Sequence, residues 1–179
     1  INVFRIQLNA IFKVISTEKK KVRILLPMIS NLDELIESIS IIDEIKNKHS
    51  VDPKLVSLGV VIETPSAALL IKEICEKVDF ISIGTNDLIQ YTIAADRTNE
   101  TLGDIISPYQ PSVLRMLKLI SNEIPEGTYV SICGEMANDV NCLPIFIAMG
   151  VRELSMNYYS IPKIKGVIHD LSYKDCNEA

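Results

Sequence analysis

Glu63, the pair Asn86–Asp87 and Cys133 each stand just after a short apolar run, in GVVIET (59–64), FISIGTND (80–87) and YVSICGE (129–135). Runs of this length and composition read as strands. In α/β proteins the carboxyl ends of parallel strands carry the chemistry. Neighbouring parallel strands lie about 4.8 Å apart, so carboxylates at adjacent strand ends can share one cation. Two hard oxygen ligands with no His or Cys beside them favour Mg²⁺ or Mn²⁺ over zinc. The competing reading makes Glu63 and Asp87 helix N-caps, carboxylates over unpaired amides. Residue type alone leaves both readings open.

Asn86 brings an amide beside Gly84, where a ligand can approach the backbone closely; otherwise it is a turn residue. Arg97 follows Asp87 in AADRTN. Its guanidinium matches a phosphate or carboxylate bidentately, unless it pairs with Asp96 at the surface. Cys133, followed by Gly134, is either a general acid or nucleophile or a small buried hydrophobe. Glu135 either orients Cys133 or is a helix-start carboxylate. His49 and His169 lie in polar helical contexts and are expected at the surface. Cys75 and Cys142 are expected in the core, Cys176 in a frayed polar tail, and EKKKVR (18–23) in a solvated loop.

The elements that must position these residues alternate along the whole chain. Apolar runs at KVRILLPMIS (21–30), 57–64, 78–85, 129–133 and ELSM (153–156) are mostly continuous, which predicts strands of a parallel sheet covered on both faces. Between them, apolar residues recur with helical spacing. Leu32, Leu35, Ile36, Ile39, Ile42 and Ile45 define one helix, capped by Ser30 or Asn31. Proline-led starts at Thr64-Pro65, Gln110-Pro111 and Ser160-Ile161-Pro162 define others. The stretch 138–150 reads as a further helix ending on Gly150, with Pro144 placed in its first turn. Five strands alternating with helices mean α/β, either an open doubly wound sheet or an incomplete TIM barrel holding about five of eight strands.

Bulk properties narrow the partners. The 179 residues carry a net charge of −5 with Lys and Arg spread along the chain, which argues against nucleic acid. No apolar run approaches the ~20 residues that span a bilayer, so membrane insertion is not expected. INVFRIQLNAIFKVIS reads as a helix rather than a signal peptide. The four cysteines form no CxxC pair, which fits a reduced, cytoplasmic setting.

Taken together, GVVIETPSAA, VDFISIGTNDLIQYTIAADRTNE, SPYQPSVLRML, CGEMAND and ELSMNYYSIPKIK resemble enzyme I of the bacterial phosphoenolpyruvate–sugar phosphotransferase system, over nearly the whole chain. The resemblance implies that residues 1–179 form part of its C-terminal phosphoenolpyruvate-binding domain, a TIM barrel of the pyruvate-kinase type represented by about its last five strands. By the family's pattern Glu63 and Asp87 hold Mg²⁺, Asn86, Asp87 and Arg97 contact phosphoenolpyruvate, and Cys133 is the proton donor. It also implies a phosphocarrier protein as partner, engaged through an N-terminal phosphohistidine domain that this sequence lacks, and a homodimer in the full-length protein. Neither His49 nor His169 matches the phosphorylated-histidine motif. The early strands, with the arginines that grip the substrate, are also missing, so this chain alone is expected to turn over phosphoenolpyruvate poorly or not at all. Pyruvate phosphate dikinase and phosphoenolpyruvate synthase share a similar GTNDL segment, but YTIAADRTNE and SIPKIK favour enzyme I. A non-catalytic dimerisation fragment is the alternative of a different class.

Overall fold

A computed structural model of the chain describes residues 2–102 and 105–178. Its strands are β1 (Val22–Leu26), β2 (Val56–Ile62), β3 (Phe80–Gly84), β4 (Tyr129–Cys133) and β5 (Glu153–Leu154). They pair in that spatial order, and every pair is parallel. Sequential parallel order without a reversal belongs to a (β/α) barrel, whereas a doubly wound sheet reverses at a switch point. The fold is α/β, an incomplete TIM barrel with five strands among the described residues.

The helices are α1 (Asn2–Glu18), α2 (Leu32–Lys48), α3 (Pro65–Leu69), α4 (Ile71–Cys75), α5 (Thr85–Ile93), α6 (Pro111–Glu123), α7 (Leu143–Ala148), α8 (Ile161–Asp170) and α9 (Tyr173–Glu178). They cover the face of the sheet formed by Ile24, Leu26, Val60, Ile62, Ile81, Ile83, Val130 and Ile132, none more than 9% exposed. Each such side chain taken from water is worth about 1.5–3 kcal/mol, so this layer dominates the stability. The other, concave face is covered less evenly than the continuous apolar runs predict. All five residues of β3 are buried, but Leu25 of β1 and Tyr129 of β4 remain 41% and 39% exposed.

Local chemistry explains most boundaries. Asn31 Oδ1 accepts the Glu34 N–H at 2.9 Å and starts α2. That helix buries Leu35, Ile41, Ile42 and Ile45 but leaves Ile36 half exposed, so its apolar stripe is rotated from the predicted one. Thr64 caps α3 through Oγ1, which accepts the Ala67 N–H at 3.1 Å. The helix predicted to run on from Thr64-Pro65 is interrupted at Leu70 (φ −105°, ψ 17°). The predicted helix 138–150 is a 3-10 turn, Val140–Cys142, followed by α7 with Pro144 in its first turn, and another 3-10 turn, Glu135–Asn138, leads into it. Ser160 does not cap α8; its hydroxyl donates to Asn157 Oδ1 at 2.9 Å. The expected frayed tail is instead α9, which packs on α7 and buries Cys176. Ala179 lies outside the described residues.

At the amino ends of the strands the two edges are joined across the concave face. Arg23 of β1, predicted in a solvated loop, pairs with Glu153 of β5 at 2.6 Å. Its guanidinium lies 5.2 Å from the Phe80 ring centre and 5.4 Å from that of Tyr129, whose hydroxyl donates to Glu153 at 2.9 Å. This leaves the opposite rim, at the carboxyl ends, to the candidate site. Among the described residues no helix is long and apolar enough to cross a membrane.

Candidate functional site

Strand register places two of the predicted residues, Glu63 and Cys133, at one level with Gly84 between them. Gly84 pairs with Cys133 across β3 and β4, and Glu63 follows directly on the Ile62–Ile83 pair across β2 and β3. Side chains at one level of a parallel sheet point to the same face. Glu63 and Cys133 therefore flank Gly84 on the concave side. A Cβ on Gly84 would meet Glu63 Oε2 at 2.8 Å and Val61 Cγ1 at 2.8 Å. The missing side chain is thus the space the Glu63 carboxylate occupies.

Glu63 is buried, 7% exposed, and is not a helix cap, because Thr64 takes that role. Its Oε1 accepts the Met28 N–H at 2.7 Å, from a residue in the left-handed region (φ 57°). Thr64 Oγ1 also donates to Ile29 O at 3.1 Å, so two consecutive residues after β2 grip the turn after β1. Burial pushes the Glu63 carboxyl above its ordinary value; the Met28 N–H opposes this, and the nearby Asp87 carboxylate adds to the rise. Asp87 lies in the first turn of α5, where no side-chain cap forms.

Cys133 Sγ accepts from Ser82 Oγ at 3.4 Å and donates to Ile83 O at 3.6 Å. Burial is the largest cause raising its pKa; Ser82 pulls it down, and Glu63 and Asp87 push it up. The thiol therefore keeps its proton at neutral pH, as a general acid requires. That both carboxylates act on this sulfur places the acid, acid and thiol in one neighbourhood.

Asn86 has a structural part as well as an accessible one. Its Oδ1 accepts the Glu135 N–H at 2.8 Å, while the residue lines a pocket of about 450 Å³ with Ile89, Arg97, Ile106, Pro108, Glu135, Met136 and Asp139. Glu63, Asp87 and Cys133 do not line this pocket. It adjoins them through Asn86, the residue before Asp87, and Glu135, two after Cys133. Arg97 thus stands on the far wall of a neighbouring cavity. Its predicted pairing with Asp96 is absent from the ion pairs of the described residues. Asp96 instead accepts from the Thr98 N–H at 2.9 Å and hydroxyl at 2.8 Å, which hold it below the usual carboxylate range.

Ser82 and the interlock around Gly134 were not singled out in the sequence. A Cβ on Gly134 (φ 97°) would meet Thr85 Oγ1 at 2.5 Å and Asn86 Oδ1 at 2.8 Å. Thr85 Oγ1 donates to Cys133 O at 2.9 Å. The GTND and CGEMAND segments therefore fit into each other, and the glycine of the second is imposed by side chains of the first. His49 sits away from this rim, bonded to Asn9 Oδ1 at 3.0 Å, and His169 faces Asp170 at the surface.

The donor set suits a small hard cation. Glu63, raised in pKa by burial and further by Asp87, would be relieved by a divalent charge held between the two carboxylates. The described residues hold no cluster of three or more His, Cys, Asp or Glu ligands. Two carboxylates are nevertheless what Mg²⁺ commonly takes from protein, with water and substrate oxygens completing its shell.

The Glu63 shift has a measurable consequence. Because the folded-state pKa is raised, the folded chain holds this proton where the unfolded chain has lost it. The stability it contributes is full below the ordinary carboxylate range and is lost as pH rises through the raised value. Glu63→Gln keeps an acceptor for Met28 and removes the charge. In metal-free buffer at neutral pH its Tm, followed by circular dichroism, is expected to rise by a few degrees, at about 2–4 °C per kcal/mol for this size. Mg²⁺ should stabilise the unsubstituted chain and not the variant. A lower Tm for Glu63→Gln would contradict the repulsion.

The class to which these features belong is shown by comparison. The family model described as "PEP-utilising enzyme, PEP-binding domain" matches residues 1–173, and the chain belongs to that family. The chain is similar to the phosphoenolpyruvate-protein phosphotransferase of Staphylococcus aureus (37% identical, 99% of this chain, 32% of that protein). It is likewise similar to those of Priestia megaterium (38%, 97% and 31%) and Haemophilus influenzae (36%, 97% and 31%). It spans about a third of the length of these curated relatives. Among solved structures, a citrate lyase from Burkholderia xenovorans LB400 aligns with a TM-score of 0.67 at 18% identity, over 91% of this chain and 53% of that one. The malate synthase of Haloferax volcanii aligns at 0.63 and 13%, over 92% and 50%. At these identities the likeness concerns the fold alone.

Proposed function

We propose that this chain supplies the Mg²⁺-binding and proton-donating part of a phosphoenolpyruvate-protein phosphotransferase, acting in the first step of sugar uptake. The supporting observation is the meeting of Glu63, Asp87 and Cys133 at one rim, with Asn86 next to them and Arg97 across the adjoining pocket. Similarity at 36–39% identity to proteins of that name favours this reading over a dikinase or synthase. A phosphocarrier protein as partner, a homodimer and a cytoplasmic location belong to the same proposal.

Phosphoenolpyruvate loses its phosphoryl group by cleavage of the bond between phosphorus and the enol oxygen, while a bond to a histidine nitrogen of a partner domain forms in line. Arg97 presents paired N–H donors to the phosphate, and the Asn86 amide helps orient the carboxylic acid. Glu63 and Asp87 would hold Mg²⁺, with Mn²⁺ as substitute, and the bound cation would neutralise charge on the transferring group. The enolate left behind takes a proton at its methylene carbon from Cys133, giving pyruvate. Ser82 stays hydrogen-bonded to the resulting thiolate until solvent reprotonates it.

Isothermal titration with phosphoenolpyruvate in Mg²⁺ buffer tests the proposal. The chain should bind, and Asp87→Ala should weaken binding by about 100-fold or more, since even outer-shell partners of metal ligands are worth 10–100-fold. Equal affinity of the two proteins would remove the site.

A further inference from the structure

The 450 Å³ pocket has two walls from separate parts of the chain. Asn86, Glu135 and Asp139 stand on the barrel rim. Arg97, Ile106 and Pro108 come from the connection between α5 and α6. That connection leaves α5 at Ala94 in the left-handed region (φ 54°), rests Ile106 against the core, and makes side-chain hydrogen bonds to α5 and within itself. The Arg97 N–H donates to Gln90 Oε1 at 3.1 Å, the Tyr109 N–H to Ser107 Oγ at 3.2 Å, and Gln110 Nε2 to Ile105 O at 3.0 Å. None of these three bonds reaches the opposite wall. The Tyr109 hydroxyl does, donating to Asp139 Oδ2.

The acceptor is held from behind. Asp139 Oδ1 accepts the Asn141 N–H at 3.0 Å and so caps the 3-10 turn Val140–Cys142, whose Cys142 is fully buried. A phenol has few rotatable bonds, and a hydroxyl bonded to a carboxylate is about twice as strong as a neutral pair. The carboxylate also raises the pKa of Tyr109 to about 12, so the phenol stays a donor at any working pH. A bond of this kind, joining the segment that carries Arg97 to the turn that follows Cys133, sets the spacing between the walls.

We propose that Tyr109 and Asp139 are a positioning pair: their hydrogen bond ties the wall that carries Arg97 to the rim that carries Asn86 and Glu135, and so sets the opening into which a phosphorylated carboxylic acid fits. This rests on the phosphoenolpyruvate reading above. Tyr109 lies outside the pocket lining and acts through the wall that carries Arg97, whereas Asp139 lines the pocket and holds Tyr109 from the rim.

The test uses Tyr109→Phe, Asp139→Asn, Asp139→Ala and the double variant Tyr109→Phe/Asp139→Ala. The Asn side chain keeps an oxygen acceptor and a capping group, whereas Ala loses both. Hydrogen–deuterium exchange of residues 105–110, read by mass spectrometry without ligand, is expected to quicken about 3–10-fold in Tyr109→Phe and to stay near normal in Asp139→Asn. In Mg²⁺ buffer, the Kd for phosphoenolpyruvate should rise about 3–10-fold in Tyr109→Phe and recover towards normal in Asp139→Asn. The double variant should be no worse than Asp139→Ala alone, because one bond cannot be lost twice. Unchanged exchange in Tyr109→Phe, additive losses in the double variant, or quickened exchange with unchanged affinity would each overturn the pairing. Failure of the unsubstituted chain to bind phosphoenolpyruvate would instead overturn the functional reading and the ligand half of this proposal. The exchange result would still decide whether the bond ties the two walls.

Discussion

Gly134→Ala is expected to destabilise the fold by about 3 kcal/mol or more in urea melts followed by circular dichroism. The backbone at Gly134 has φ 97° and ψ −174°, a region essentially closed to residues with a side chain. A methyl group there would also meet Thr85 Oγ1 at 2.5 Å and Asn86 Oδ1 at 2.8 Å. Neither neighbour is free to retreat, since Thr85 is bonded to Cys133 O at 2.9 Å and Asn86 to the Glu135 N–H at 2.8 Å. Gly127 supplies the control, with φ 86° but no atom within 4 Å of its added Cβ. Gly127→Ala should cost only the backbone strain, about 1–2 kcal/mol. The difference between the two variants measures the interlock of the GTND and CGEMAND segments. If Gly134→Ala is no more damaging than Gly127→Ala, the interlock is not rigid.

Cys133→Ala is expected to slow exchange of the methyl protons of pyruvate with deuterated water by about 10²–10⁴-fold, followed by proton NMR in the presence of Mg²⁺. A thiol that protonates the enolate must, in reverse, deprotonate pyruvate as thiolate, and this half-reaction needs no histidine. Only the ionised sulfur acts in this direction. Burial, helped by Glu63 and Asp87, lifts the thiol pKa, so the exchange rate should climb as pH rises through the ordinary thiol range and level off only above it. Cys75, also raised in pKa by burial, lies in α4 outside the rim, so Cys75→Ala should leave exchange unchanged. Equal rates for the Cys133→Ala variant and the unsubstituted chain would remove the sulfur from the chemistry.

The strand ends were legible because the same pattern occurs three times: an apolar run that stops on a reactive group. That regularity brought out Glu63, Asp87 and Cys133; the register sets Glu63 and Cys133 at one level, and Asp87 follows in the first turn of α5. The proline-led helix starts at Pro65 and Pro111 were equally plain, since proline fixes φ and has no donor to satisfy. Other features depend on what lies across the fold. Whether Glu63 or Thr64 caps α3 is decided by the Met28 N–H, 35 residues away in sequence. Arg23 belongs to a charged run in the sequence, yet strand alternation turns it onto the concave face, where Glu153 and two aromatic rings receive it. Nothing in the strand FISIG marks Ser82, whose partner Cys133 comes from the next strand, 51 residues on. The polar C-terminal segment could not reveal that α7 would bury Cys176.

The account's central claim is that two carboxylates and one thiol share a single ligand-binding rim. Its most direct test is the rate at which iodoacetamide alkylates each cysteine, resolved by peptide mass spectrometry, with and without Mg²⁺ and phosphoenolpyruvate. The account predicts that the two together protect Cys133 about tenfold or more, leave Cys75 unaffected, and lose their effect in Asp87→Ala. Alkylation of Cys133 at one unchanged rate under every condition would contradict it.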